Sequence, residues 1–405
     1  MMTRRNWLLG ASLAATLNAR PMLSLGDPVL VAESPPDEHR WGRYQFPVIE
    51  RFDDGRIAVS FSVLPDAAES YGAQPPLPNR AISRDGGLTW RMDTTSSGVS
   101  GLRLPNGDRL KPLTPKPFPL AQLNLPKPAG IHVGSYGKEQ CELYRLRDLP
   151  EALRRIWFLR WTKSADKWIE EQDRLNDPLA LRYSIRALFP IVWWGDIRVV
   201  TDGSLIAGVY PGYLEGQPGF PCNVFFYRST DQGKSWDIQG RILYQPDPNA
   251  DPKARLRDGF TEPAFTILRD GSFLCVMRTS DGNGVGPMYL SRSRDLGKRW
   301  SRPVAFAPTG VDPQLLLLGN GTLVLSSGRP GVDVRVSSDG GKTWTDPYHL
   351  VPLTSENVQA DSCGYTSLLA LDDNSLLIAY SSFKHLGRDG KLHKAILVRR
   401  MNVKK

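Results

Sequence analysis

The 405-residue chain has four cysteines, and no two of them form a C-x-x-C pair. Zinc ligation and thiol redox catalysis therefore get little support, and Cys275, inside the apolar run from Ser272 to Met277, reads as a core residue. Five histidines (His39, His132, His349, His385 and His393) show no metal-ligand spacing. There is no H-E-x-x-H, no G-x-x-x-x-G-K-S/T and no G-x-S-x-G, which argues against zincins, P-loop proteins and hydrolases with a nucleophile elbow. No metal or cofactor is expected. The net charge of +9 contains no run of five Lys or Arg, so it is dispersed and no nucleic-acid partner is expected. A basic surface of this kind still suits acidic glycans. The apolar stretch Trp7 to Ala15 is too short for a membrane span. With Arg4-Arg5 before it and small residues up to Ala19, it reads as a secretory signal over residues 1–19. T-R-R-N-W-L-L resembles the twin-arginine export signal, so a periplasmic or secreted protein is expected.

What the chain does have is repetition. The pattern S-x-D-x-G-x-x-W occurs four times, at Ser83–Trp90, Ser229–Trp236, Ser293–Trp300 and Ser337–Trp344. The Asp can accept bonds from nearby backbone N–H groups, the Gly permits a positive φ, and the Trp plugs the turn onto the sheet. A second repeat is a hairpin turning at D-G or N-G. Its copies turn at Asp54-Gly55, Asn106-Gly107, Asp202-Gly203, Asp270-Gly271, Asn320-Gly321 and near Asp373-Asn374. Six hairpins, with 37 glycines and 33 prolines for the turns, predict an all-β chain folded as a six-bladed β-propeller over residues 20–405. The long gap between Asp85 and Asp231 predicts one lost turn motif and an insertion around 111–185. Within it, Glu142–Leu175 is charged and Trp-rich, and a helix is expected there.

Together these repeats resemble the sialidase (neuraminidase) superfamily, in which the S-x-D-x-G-x-x-W turn is the BNR repeat or Asp-box. That turn lies at the outer edge of a blade in the family, so function has to sit on the inner strands. Sialidases hold the substrate carboxylate with three arginines, attack through a Tyr activated by a Glu, and use an Asp as acid/base. A neutral Tyr hydroxyl avoids the repulsion that a carboxylate nucleophile would meet beside a carboxylated carbon.

The resemblance can be placed residue by residue. Thr261-Glu262-Pro263-Ala264, running through Asp270-Gly271 to Arg278, is similar to the stretch that supplies the Glu and the second arginine. Ser327-Gly328-Arg329-Pro330-Gly331 is similar to the third-arginine segment, and Cys363-Gly364-Tyr365-Thr366 to the nucleophile strand. An acidic residue often follows the tyrosine equivalent to Tyr380, where this chain has Ser381. The first-arginine triplet, R-I-P or R-L-P in the family, is Gln45-Phe46-Pro47 here. Arg43 shares a face with Gln45 on a strand, at a shift of about 6–7 Å, and is the expected substitute. The acid/base is placed by family position in the loop after the first hairpin, with Asp66 the first choice and Glu69 the second. Each of these residues also has a plain structural reading, as a loop acid, a strand tyrosine or a hairpin-end arginine.

The expectation is a retaining exo-glycosidase acting on a terminal, acidic sugar of a glycan. Tyr365, Glu262 and Asp66 are its catalytic residues, and Arg278, Arg329, Arg43 and Gln45 its binding residues. The rivals are a non-catalytic propeller that binds glycan or protein, and a glycosidase or lyase acting on a uronic-acid polymer.

Overall fold

A computed structural model describes residues 22–93, 98–134, 140–280 and 286–404. The signal expected over residues 1–19 lies outside the described residues. Among those described, no helix is long and apolar enough to cross a membrane.

The fold is an all-β propeller of short antiparallel strands. Each hairpin of the sequence pairs around its turn, as in Phe265↔Cys275 across Asp270-Gly271 and Leu315↔Leu325 across Asn320-Gly321. Two further strands complete each four-stranded sheet. One such sheet runs Gly259–Ile267, Phe273–Ser280, Met288–Ser293, Val304–Ala307, and the next runs Val311–Leu317, Leu323–Gly328, Val332–Ser337, Tyr348–Val351. A third comprises Arg43–Arg51, Ile57–Val63, Arg80–Ser83 and Arg91–Met92. The sheet made by Thr366–Ala370, Ser375–Leu386 and Leu392–Lys404 takes its outer strand from the other end of the chain, Met22–Glu33, with Leu23↔Val403 and Val29↔Val398 in register. That exchange ties the two ends together and covers an edge that would otherwise be open.

The motif turns follow one plan. In the second, Asp231 Oδ1 accepts from Ser229 Oγ at 2.8 Å, Lys234 N–H at 3.0 Å and Ser235 N–H at 2.9 Å, and Trp236 Nε1–H donates to Gly233 O at 3.0 Å. The Trp reaches beyond its own turn. Trp236 stacks on Phe158 at 5.9 Å within its sheet, and Trp300 on Phe226 of the neighbouring sheet at 4.2 Å, so the repeat packs the core as well as closing turns.

The helix expected within Glu142–Leu175 reduces to one turn, Glu151–Arg154, before a hairpin of Arg155–Thr162 and Lys167–Asn176. Ile156, Phe158 and Arg160 are buried while Trp157, Leu159 and Trp161 are partly exposed. That alternation is the period of a strand. The hairpin extends the pair Leu102–Arg103 and Arg109–Leu113, and its last strand lies parallel to Ser235–Ile242 (Leu175↔Trp236). Much of the expected insertion is thus regular sheet. Three more strands, Gly130–Val133, Gln140–Arg145 and Ala180–Ser184, join the end of Leu205–Leu214.

Candidate active site

One register position recurs on the inner strands. Phe46, Trp194, Glu262, Asp312 and Tyr365 each stand eight residues before the hairpin-turn residue Asp54, Asp202, Asp270, Asn320 or Asp373. All five line one cavity of about 940 Å³. Three of them share a backbone device. Phe46, Glu262 and Asp312 have φ of +54°, +49° and +43°, each precedes a proline, and each falls where the strand register shifts. A bulge adds a residue to one strand and turns its side chain out of the sheet's alternation. Left-handed backbone in a non-glycine residue costs energy, and outside tight turns it clusters at active sites. Tyr365 is aimed differently, by Gly364 at φ +80°. A Cβ on the facing Gly328 would lie 2.1 Å from the Gly364 Cα, so two bare backbones let Arg329 and Tyr365 approach one another.

Glu262 is the hub. Its Oε1 accepts from Arg278 Nη1–H at 2.7 Å and from the Tyr365 hydroxyl, and its Oε2 accepts from the Asp312 backbone N–H at 2.7 Å. Glu262, Arg278 and Arg329 are all buried, the two arginines at 3% exposure each. Arg329 donates through Nε to the Cys363 carbonyl at 2.9 Å, and its guanidinium lies 5.0 Å from the Trp41 ring and 5.7 Å from that of Tyr365. Its Nη1 has no hydrogen-bond partner among the described residues. Burial and the charge of Glu262 hold the Tyr365 phenol well above its ordinary range, so it keeps its proton unless a base takes it. The same two causes push the Asp312 carboxyl well up.

The remaining expected residues divide. Asp66 borders the cavity and accepts from Trp41 Nε1–H at 3.0 Å. Glu69 lies outside the lining and faces Arg186 at 4.0 Å. Arg43 and Gln45 do not line the cavity either. Arg43 turns toward Glu38 at 4.0 Å, and Gln45 is fully buried, accepting from Gly42 N–H at 3.1 Å. The bulge at Gln45–Val48 sends Phe46 inward instead, its ring 4.8 Å from that of Tyr365. A ring therefore stands where a first arginine was sought.

Reading motifs alone missed Asp312, Trp194 and the Asp196–Arg198 pair, bonded at 3.1 Å on the cavity wall. The signal for Asp312 and Trp194 was the spacing of eight to the turn, the same that places Glu262 and Tyr365. Among the described residues, no group of three or more His, Cys, Asp or Glu could hold a metal ion.

The family model described as BNR repeat-like domain matches residues 156–391. No curated protein matches the chain. A protein of unknown function from Dyadobacter fermentans is similar in structure at a TM-score of 0.58 and 18% identity, over 94% of this chain and 99% of that one, which shows a shared fold. Also similar are a Hadza microbial sialidase (TM-score 0.49, 15% identity, 89% and 66% covered) and the Penicillium chrysogenum α-L-arabinanase (0.48, 18%, 92% and 98%).

Proposed function

The chain belongs to the BNR repeat-like domain family, and from that premise we propose that it is a retaining exo-glycosidase of sialidase type. One observation carries the reading: the Tyr365 hydroxyl donates to a buried carboxylate, Glu262, that Arg278 and the Asp312 N–H hold in place. A phenol so placed is an activated nucleophile.

In the proposed reaction the Tyr365 oxygen attacks the anomeric carbon while its proton passes to Glu262. The bond to the leaving oxygen breaks, and that oxygen takes a proton from Asp66 at the cavity border. Water then attacks the same carbon and gives a proton to the Asp66 carboxylate. The bond to Tyr365 breaks, and Glu262 returns the proton to the phenolate. Two displacements restore the starting configuration. Arg329, with Nη1 unpartnered and buried, is the group that would meet a carboxylate on the sugar through a charge-assisted bond. The preferred terminal sugar is therefore acidic. A neutral sugar is the second reading, because Phe46 offers an apolar ring where a cation would otherwise stand. The protein would act after export through its N-terminal signal.

The test is a panel of acidic and neutral aryl glycosides, with fluorophore release as the readout. Wild type should hydrolyse an acidic member, and Tyr365→Phe should release nothing above background. Full activity in Tyr365→Phe would sink the nucleophile assignment.

A further inference from the structure

Four arginines are buried among the described residues: Arg160, Arg182, Arg278 and Arg329. Arg160 is paired with Glu171 and Arg278 with Glu262, each at 2.7 Å. Arg329 is the group offered to a substrate carboxylate. Arg182 is different, because no carboxylate among the described residues stands beside it. It lies in the strand Ala180–Ser184, between Leu181 and Tyr183, at 9% exposure. Its Nη2–H donates to the Arg155 carbonyl at 2.9 Å, a neutral acceptor, and its Nε has no hydrogen-bond partner. Burial pushes the guanidinium down to about 10, which still leaves it charged at neutral pH. A buried charge without a counter-charge is costly.

Arg182 borders a cleft of about 40 Å³ that the reaction cavity does not include. The Trp193 indole lines the same cleft at 7% exposure, and its Nε1 also lacks a partner. Two donors without acceptors, one of them charged, therefore border one space. Among the described residues no Asp or Glu lines it. Tyr183 and Tyr227 line it but supply no charge, since burial holds both phenols well above their ordinary range. Asp177, which accepts from the Tyr227 hydroxyl at 3.1 Å, is already matched by Arg241 at 2.5 Å.

We propose that this cleft is a halide site, in which one chloride ion accepts from Arg182 Nε–H and Trp193 Nε1–H. A water molecule could accept both bonds but would leave the charge unmatched. A monovalent anion does both. A single water needs about 10–15 Å³ of such space, so the cleft admits one small ion and excludes a sugar ring. Sulfate and phosphate bring more charge than one arginine matches, and Leu146, Val209 and Phe225 add only apolar side chains.

The position gives the ion a structural task. Arg182 belongs to the strand inserted between Gln140–Arg145 and Leu205–Leu214 (Tyr144↔Arg182, Leu181↔Tyr213). Trp193 packs edge-on against Trp236 of a motif turn at 5.0 Å. Chloride bound between them ties the segment that departs from the hairpin repeat to the sheet it joins. An ion held only by the folded chain stabilises it by mass action.

The test follows thermal melts as sodium chloride replaces sodium gluconate at constant ionic strength. Wild type should gain about 2–4 °C in chloride. Arg182→Met, of similar length and uncharged, should lose that gain, and Trp193→Phe should reduce it. A second measurement needs only wild type: crystals soaked in sodium bromide should show an anomalous peak in the cleft, within hydrogen-bond reach of Arg182 Nε and Trp193 Nε1. Melts of wild type that ignore chloride, a full gain retained in Arg182→Met, or bromide-soaked crystals without that peak each overturn the site. No glycoside enters either measurement, so the hydrolase reading stands or falls separately.

Discussion

The backbone N–H of Asp312 holds the Glu262 carboxylate at 2.7 Å, and the two residues occupy the same position of two neighbouring sheets. Each sits in a left-handed bulge before a proline, eight residues ahead of its hairpin turn. The repeat that builds the scaffold therefore also builds the site. One backbone device, used on adjacent inner strands, delivers an acid to the nucleophile from one strand and turns a backbone N–H onto that acid from the next.

Glu262→Gln should lower kcat by about 10²–10⁴, the usual contribution of a positioned base. It also breaks the buried Arg278–Glu262 pair at 2.7 Å, which costs about 3–5 kcal/mol. Steady-state kinetics with the aryl glycoside and urea titration read the two effects. A variant with wild-type kcat would remove Glu262 from the chemistry.

Asp312 gives a pH signature in stability. Its carboxyl is raised above the ordinary 3.8 by burial and by Glu262, with Asp196 adding to the effect. Arg278, Tyr210 and Tyr365 complete the titratable and charged groups around this cluster. A raised carboxyl stabilises the fold below its unfolded value, and that contribution is lost as pH rises toward the folded value. Urea midpoints of wild type should therefore fall relative to Asp312→Asn as pH rises above the ordinary carboxyl value of 3.8. Parallel curves for the two proteins would count against a perturbed Asp312.

Arg329→Lys should lose activity on acidic aryl glycosides while sparing neutral ones. A charge-assisted bond contributes about 1.5–3 kcal/mol, so kcat/KM on the acidic member should fall by about 10–100-fold. Arg presents a planar fork that Lys lacks. An equal loss on acidic and neutral members would mean that Arg329 only braces Tyr365 and Trp41.

The turn motif should affect stability without touching chemistry. Trp236 is fully buried against Phe158, and Trp236→Ala should cost about 3–5 kcal/mol. Asp231→Ala leaves the Lys234 and Ser235 N–H groups without their acceptor and should cost about 1–3 kcal/mol. Thermal melts read both losses, while kcat per folded molecule should match wild type.

The hairpins and motif turns were legible in the residues because each is local. An Asp, a Gly and a Trp within eight positions make their own hydrogen bonds and choose their own φ. The grouping of Glu262, Arg278 and Tyr365 was also readable, through resemblance to sialidases. The strand at Arg155–Thr162 was not legible in the residues because its buried side includes a charged residue, Arg160, paired with Glu171 at 2.7 Å on the next strand. Such a partner is invisible until the hairpin closes. The bulges decided the rest. Whether Gln45 or Phe46 enters the cavity depends on how one strand slips against its neighbour, and a slip of one residue reverses every side chain beyond it. Likewise, Asp66 reaches the cavity border and Glu69 does not because of where their loop meets Trp41 and Arg186. Local pattern set the repeating unit, whereas the chemistry drawn from Phe46 through Tyr365 exists only once the ring closes and strands far apart in the chain face one axis.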